Sequence, residues 1–129
     1  MLLSHGRTDG AVQPGTAYAP HTGDVLLDAM LGADGIFVNA AVYAPCARTY
    51  WHVHQNGQLV LVNSGRGIVV TRGGQVQVVQ AGDVVYAPPG EEHWHGAAPD
   101  CFVTYTSVSL GETETRGEVA DADYLAVWQ

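Results

Sequence analysis

The feature that most constrains the fold is the spacing of the apolar residues, which has a period of two along most of the chain. Short runs rich in valine, isoleucine and threonine alternate with turns that contain glycine, proline or asparagine, and this pattern is typical of strands. Strands are predicted over residues 36–43, 59–62, 68–71, 76–79, 84–86 and 101–110. Residues 25–31 fit either a strand or a short helix, and residues 120–124 fit the start of a terminal helix. Turns recur every ~8–12 residues, so the pattern predicts an all-β sandwich or barrel.

The size of the chain predicts a single domain. Its 129 residues, of which 47% are hydrophobic, are enough to form one packed core without disulfide bonds. Residues 1–21 are rich in glycine, proline and polar side chains and are predicted to form an N-terminal arm. The barrel is assigned to residues 22–118, and a short C-terminal tail to residues 119–129. Cys46 and Cys101 are predicted to be reduced, packed thiols, because neither belongs to a CxxC pair.

The charge balance excludes one class of partner. Five Lys and Arg residues stand against 13 Asp and Glu residues, which gives a net charge of −8. Nucleic-acid binding requires a basic surface that such a chain cannot build, and an anionic membrane surface is disfavoured for the same reason. The first residues contain no signal-peptide core, and no apolar run reaches membrane-spanning length. We therefore expect a cytoplasmic protein whose partner is a small-molecule substrate.

The histidines are concentrated in two short segments that predict a metal site. His52 and His54 are separated by one residue, and residues i and i+2 of a strand point to the same face, so the pair can chelate one ion. His93 and His95 form a second such pair directly after a Pro-Pro-Gly turn. His95 shares its parity with His93 and is predicted to line the mouth of the site. Histidine is the commonest metal ligand in proteins, so two pairs in one small domain indicate metal binding.

The direction of the Gln58 side chain depends on the turn before it. A two-residue turn at Asn56-Gly57 would pair Gln55 with Gln58 and point Gln58 away from the histidines. A three-residue loop over residues 55–57, with Gly57 in the left-handed conformation, instead places His54 opposite Gln58. We predict the three-residue loop, because only that register lets Gln58 join the site.

Other polar and aromatic residues have structural interpretations. Arg48 is predicted to pair with Glu91 or Glu92, and binding of a substrate anion is the alternative. His5 and His21 are predicted to be solvated residues of the arm. Alternation places a set of hydroxyl-bearing side chains inside the barrel: Tyr43, Tyr105, Ser107 and Ser109. The opposite parity places Trp51 and Trp94 outside the barrel core or at a subunit contact.

Two motifs in this part of the chain resemble those of the cupin family. The first cupin motif places a glycine, an HxH pair, a glutamate and a glycine at fixed spacing, and the second places a glycine, Pro-x-Gly, a histidine and an asparagine. The matching positions of the first motif are Cys46, His52, His54, Gln58 and Gly65. Those of the second are Gly82, Pro88, Gly90, His93 and Ala97. Cys46, Gln58 and Ala97 depart from the usual glycine, glutamate and asparagine.

The resemblance implies an all-β, single-domain jelly-roll β-barrel with a metal ion at its open end. The ligands it implies are His52, His54, Gln58 and His93. We predict one divalent transition-metal ion, manganese first, with Fe, Ni, Co and Zn as alternatives. Because Gln58 is neutral, the ion would keep its full charge and attract an anionic ligand. Cupins of this size also form homodimers or higher homo-oligomers, which we expect here.

Longer segments are similar to the bacterial cupin hydroxynitrile lyases. The similarity is carried by residues 47–54, by Gly57-Gln58 and by residues 89–99. It implies a metal-dependent lyase that cleaves a cyanohydrin, with the ion as Lewis acid. In those lyases a histidine after the second motif is assigned as the base, and Tyr105 takes its position here. Tyr105 and His95 are therefore the predicted catalytic residues, which move the proton. The alternatives are an iron- or manganese-dependent dioxygenase and a non-catalytic small-molecule-binding module.

Overall fold

The computed structural model describes residues 1–6 and 13–129, and strands dominate it. In chain order the strands are β1 (Gln13–Pro14), β2 (His21–Thr22), β3 (Val25–Ala33), β4 (Ile36–Tyr43), β5 (Arg48–Thr49), β6 (His52–His54), β7 (Gln58–Thr71), β8 (Val76–Gln80), β9 (Val84–Ala87), β10 (His93–Ala97), β11 (Val103–Leu110) and β12 (Thr113–Thr115). A 3₁₀ turn covers Gly15–Ala17, and the helix α1 covers Asp121–Ala126. The predicted strands are confirmed, and residues 25–31 form a strand rather than a helix.

The strands form a curled antiparallel sheet in two halves that share β7. In the first half, the beginning of β7 pairs with β11 and β9, and the order continues from β11 through β4 and β3 to β1. In the second half, the end of β7 pairs with β10 and β8. The strands β5 and β6 pair with β10, β2 pairs with β5, and β12 pairs with β6. The expected all-β, single-domain architecture is therefore confirmed.

Gly65 marks the place where β7 passes from one half to the other. Its φ is +78°, in the left-handed region that favours glycine. A Cβ at this position would also collide with the carbonyl oxygen of Phe102. Both observations require glycine, and the turn of the backbone at this residue lets one long strand belong to both halves of the sheet.

Two apolar clusters stabilise the barrel. The first fills the interior and is made of side chains from both halves: Val25, Leu27, Ala41, Tyr43, Ala47, Val60, Val62, Val69, Val79, Ala97, Val103 and Tyr105. The second lies outside the second half of the barrel. There the C-terminal segment, residues 119–126, covers Ile68 and Trp94 with Val119 and Tyr124. Trp51 packs against this outer cluster, which confirms that the two tryptophans lie outside the barrel core.

Arg48 anchors the C-terminal segment, and its predicted ion pair with Glu91 or Glu92 was wrong. The guanidinium is buried and donates hydrogen bonds to the carbonyl oxygens of Val119 and Cys46, at 2.8 and 3.1 Å. It also lies 2.6 Å from a carboxylate oxygen of Asp121. Glu92 instead pairs with Arg72 and Arg116. The outcome differs from the prediction because a residue distant in sequence packs directly over the Arg48 side chain.

The two cysteines are less buried than we predicted. Both are free thiols, but Cys46 is exposed and Cys101 is half-buried. Cys46 has a φ of +70° at a position where the cupin motif has glycine, so the tight backbone turn is retained and the side chain points out of the core.

The outer surface carries two further features that bear on partners. Among residues 1–6 and 13–129, no helix is long and apolar enough to cross a membrane. Exposed apolar side chains occur on β3, β4 and β9, including Leu26, Val42 and Val84. Assembly into a homodimer or larger oligomer stays a prediction.

Candidate metal centre

Four histidines and one glutamine converge at the open end of the barrel. His52 and His54 come from β6, Gln58 is the first residue of β7, and His93 and His95 come from β10. The strand register places His93 directly opposite His52, so the two pairs share one face. All five side chains are buried.

The distances between these side chains suit a single ion. The His52 ring centroid lies 4.4 Å from that of His93, 4.9 Å from His54 and 5.4 Å from His95. One ring nitrogen from each of His52, His93 and His95 lies within 4.8 Å of the others. Gln58 Oε1 is 2.9 Å from His93 Nε2. The predicted ligands therefore lie close together, but the three histidines that meet this nitrogen distance are His52, His93 and His95 and do not include His54.

The hydrogen bonds at Nδ1 make Nε2 an acceptor in two of the rings, those of His52 and His93. His52 Nδ1 donates to the carbonyl oxygen of Tyr50 at 2.8 Å, and His93 Nδ1 donates to that of Glu91 at 3.0 Å. His54 Nδ1 lies 2.9 Å from the Thr113 hydroxyl oxygen. A neutral imidazole that donates through Nδ1 offers a lone pair at Nε2, and such outer partners commonly orient metal-binding histidines.

Two observations show that the site fits a cation. The His54 Nε2 atom is buried and has no hydrogen-bond partner among the described residues. The Gln58 amide donates from Nε2 to Ser109 Oγ at 3.1 Å, which turns its Oε1 acceptor toward the unprotonated Nε2 of His93. Two acceptors that face each other at 2.9 Å repel, and a nearby cation removes that repulsion.

Burial keeps the histidines neutral. Desolvation lowers the pKa of His52, His93 and His95, and the neighbouring rings lower the pKa of His52 and His95 further. Desolvation and the proximity of His93 bring the pKa of His54 to about 4. Metal binding requires unprotonated imidazole, so these rings are in the ligating form at neutral pH.

The cluster opens into a cavity of about 180 Å³. Asn39, Ser107, Ser109 and Thr113 provide polar groups in its walls. Among the described residues that line it, none is an Asp, Glu, Lys or Arg. A divalent cation here would therefore have no charged side chain to balance it, and an anionic ligand is favoured.

His21 also lines this cavity, so the prediction that it is solvated was wrong. Its ring is half-buried, its Nδ1 donates to the carbonyl oxygen of Ala19 at 2.9 Å, and its centroid lies 5.9 Å from that of Tyr43. Tyr18 and Pro20 line the cavity beside it. The composition of residues 1–21 could not indicate this, because β2 pairs with β5 and so brings the segment to the mouth. His5 is exposed, as predicted.

The loop before Gln58 agrees with the prediction in part. Gly57 has a φ of +98°, and Gln58 faces the histidines, as the three-residue loop required. The pairing of His54 with Gln58 was wrong, because β6 and β7 do not form a hairpin. His54 pairs with Thr113, whereas Gln58 pairs with Ser109 and Ala87. The loop instead carries the chain from one half of the barrel to the other.

The two predicted catalytic residues lie in different surroundings. The Tyr105 hydroxyl donates to the carbonyl oxygen of Gly96 at 2.7 Å within the core, and burial raises its pKa. His95 lines the cavity, and its buried Nδ1 has no hydrogen-bond partner among the described residues. Their rings are 5.2 Å apart. His95 is therefore the better placed to reach a bound molecule.

Comparisons with known proteins identify the family. The cupin domain family model matches residues 40–105. An (R)-mandelonitrile lyase from Granulicella tundricola is 41% identical over 90 residues, which cover 67% of this chain and 69% of that protein. The crystal structure of a cupin-like protein from Thermotoga maritima is 32% identical, has a TM-score of 0.81, and is matched over 92% of this chain and 97% of its own. A polyketide cyclase from Streptomyces resistomycificus has the same fold, with 20% identity, a TM-score of 0.72, and coverage of 100% and 94%. This chain belongs to the cupin family.

Proposed function

We propose that this protein is a metal-dependent lyase that cleaves a cyanohydrin to an aldehyde and hydrogen cyanide. The observation that carries the proposal is the convergence of unpaired histidine nitrogens in a cavity whose described walls carry no charged side chain, on a chain 41% identical over 90 residues to an (R)-mandelonitrile lyase. His52, His54, Gln58 and His93 would hold the ion, with manganese as the first expectation. When bound, a divalent ion supplies Lewis acidity toward an oxygen or nitrogen of the substrate.

His95 is the residue we assign to proton transfer. A cyanohydrin loses its hydroxyl proton to a base, the bond between the two carbons breaks, and the released cyanide takes up a proton. A neutral imidazole has one nitrogen that accepts and one that donates, so His95 can perform both transfers. Its position between Tyr43 and the four ligands keeps it beside the cavity and away from bulk water.

The polar walls of the cavity orient the substrate. Asn39 and Ser107 face each other across β4 and β11, so both side chains point to the same side. Their amide and hydroxyl groups can donate to the substrate oxygen or accept its hydroxyl proton in a hydrogen bond. Ser109 is occupied by Gln58 and serves the ligand rather than the substrate.

A cleavage assay tests the proposal. Manganese-loaded wild-type protein is mixed with mandelonitrile, and benzaldehyde release is followed by absorbance in parallel with the metal content. We expect cleavage that is lost in His93→Ala and His52→Ala and kept in His5→Ala, a matched histidine substitution outside the site. Wild-type protein that cleaves no faster than His52→Ala would reject the lyase. Oxygen uptake with diketones or phenols would favour the dioxygenase, and tight binding without turnover would favour the binding module.

A further inference from the structure

The cavity of about 180 Å³ beside the histidine cluster is called the metal cavity below. The inner face of the first half of the barrel continues beyond it as an apolar strip. Directly paired residues on antiparallel strands point to the same side. Asn39 pairs with Ser107, and one row further out Phe37 pairs with Ser109. Because Asn39, Ser107 and Ser109 line the cavity, Phe37 faces the same side, just past its edge. It is nevertheless 47% exposed, which is unusual for an inward-facing aromatic ring.

The uncovered ring belongs to a groove that joins the cavity. Phe37 is opposite Gly32 on β3, where the missing side chain leaves part of the ring open. The groove measures about 630 Å³, and Met30, Leu31 and Phe37 give it apolar walls. It shares Tyr18, Asn39, Ser109 and Thr113 with the metal cavity, so the two spaces meet along one wall.

The sizes and charges of the two spaces suggest what they hold. The metal cavity has a volume of about 180 Å³, which corresponds to about six water molecules. That is room for a polar head group and one small ring, so a longer apolar group must leave through the shared wall. Glu112 borders the groove and disfavours a second anionic group there.

We propose that the groove binds an extended apolar group of the substrate while its oxygen-bearing head occupies the metal cavity. The substrate class is then an elongated aryl or alkyl compound, larger than a single-ring cyanohydrin. The inference rests on the proposed function, because it assumes that the head group binds beside the histidine cluster. Phe37 is the residue that selects for the longer substrate.

Binding of two carboxylate probes tests the groove without a turnover assay. Phenylacetate carries one ring, and biphenyl-4-ylacetate carries a second ring on the same head group. Their Kd values for manganese-loaded protein are measured by calorimetry. Burial of a second ring should tighten binding by about 10–50-fold. Phe37→Ala should reduce that ratio to below about 3-fold without changing phenylacetate binding.

Two further variants keep the result interpretable. Val42→Ala changes an exposed apolar residue on the opposite face of the same strand, and the ratio should stay at its wild-type value. Gly32→Leu should fill the groove and weaken only the longer probe, since a Cβ there makes an ordinary contact, 3.5 Å from Phe37. Equal Kd values for the two probes, or an unchanged ratio in Phe37→Ala, would overturn the groove and leave the proposed function standing. If neither probe binds the loaded wild-type protein, the head group has no site beside the histidines and the groove proposal falls, whereas the cleavage assay still decides the lyase.

Discussion

Replacing Tyr105 by phenylalanine separates the two residues that could move the proton. The substitution removes one hydroxyl, which is fully buried and donates to the carbonyl oxygen of Gly96 at 2.7 Å. Losing one buried hydrogen bond costs about 1–2 kcal/mol. For a chain of this length, that corresponds to a fall in Tm of about 4–8 °C. The ring itself stays, so its contacts with Tyr43 and His95 persist.

The same substitution should leave catalysis almost unchanged. The hydroxyl proton of Tyr105 is committed to a backbone carbonyl, and burial together with the neighbouring Tyr43 raises the pKa of the group. Releasing that proton would place a phenolate in the core with no cation beside it among the described side chains. We therefore expect kcat for mandelonitrile cleavage to stay within about 2-fold of wild type, since general acid–base losses are ~100-fold or more.

His95→Gln should show the opposite result. Glutamine retains a polar side chain of similar reach but cannot take up a proton at neutral pH. We expect kcat per bound manganese ion to fall by about 10²–10⁴-fold. The paired assay is benzaldehyde release, with metal content and thermal melting of each variant. A 100-fold loss in Tyr105→Phe at full metal occupancy would refute the reasoning and assign the proton transfer to the phenol.

Three further predictions concern the metal, the pH dependence and the C-terminal segment. His93→Ala should reduce the manganese content to background, whereas Gln58→Ala should weaken manganese binding by only about 10-fold in Kd, because an amide oxygen is the weakest donor of the set. Equal manganese content in wild type and His93→Ala, measured by elemental analysis, would contradict the ligand assignment. The Tm of the metal-free protein should fall as the pH falls from about 6.5 toward 4, and it should be constant above pH 7. The reason is that burial holds the pKa of His54 at about 4, so the unfolded chain binds more protons in this interval; a Tm that rises on acidification would contradict it. Arg48→Met should lower the free energy of unfolding, measured in urea, by about 3 kcal/mol. Arg66→Met, which removes an exposed ion pair, should lower it by less than about 1 kcal/mol. Equal losses in the two variants would show that burial of Arg48 adds nothing to stability.

The sequence predicts which histidines and which glutamine meet at the open end of the barrel because the elements that carry them are local. The spacing of His52 and His54 requires only that the segment be extended, and β6 is extended. His93 follows a Pro-Pro-Gly turn that ends one strand and starts the next. Gln58 needed one more assumption, a left-handed Gly57, and that conformation is present.

The partners of these residues could not be predicted, because they come from distant parts of the chain. Thr113 orients His54 from 59 residues away, and Ser109 orients Gln58 from 51 residues away. Nothing in the local pattern around Thr113 distinguishes it from any other exposed strand residue. Which residue comes to lie beside His54 or Gln58 is decided by the sheet register, and the register depends on how the whole barrel closes.

The same reason explains the errors at the surface. Composition predicted solvated histidines in the arm, yet pairing of β2 with β5 brings His21 to the mouth of the cavity. Arg48 was assigned to nearby glutamates, yet its main partner is the carbonyl oxygen of Val119. A buried guanidinium has several donors to satisfy, and a backbone carbonyl leaves no trace in the sequence.

The C-terminal segment has a part in the candidate metal site that its position in the chain conceals. β10 presents His93 and His95 to the cavity, and the residue between them, Trp94, points outward and is 2% exposed. What covers Trp94 is the ring of Tyr124, 6.0 Å away, whose hydroxyl donates to the carbonyl oxygen of Ala97 at 2.6 Å. A strand that is packed on both faces has little freedom to twist or slide. The C-terminal segment therefore holds the two histidines in register from behind, so residues 119–126 belong to the structure of the site even though none of them lines the cavity.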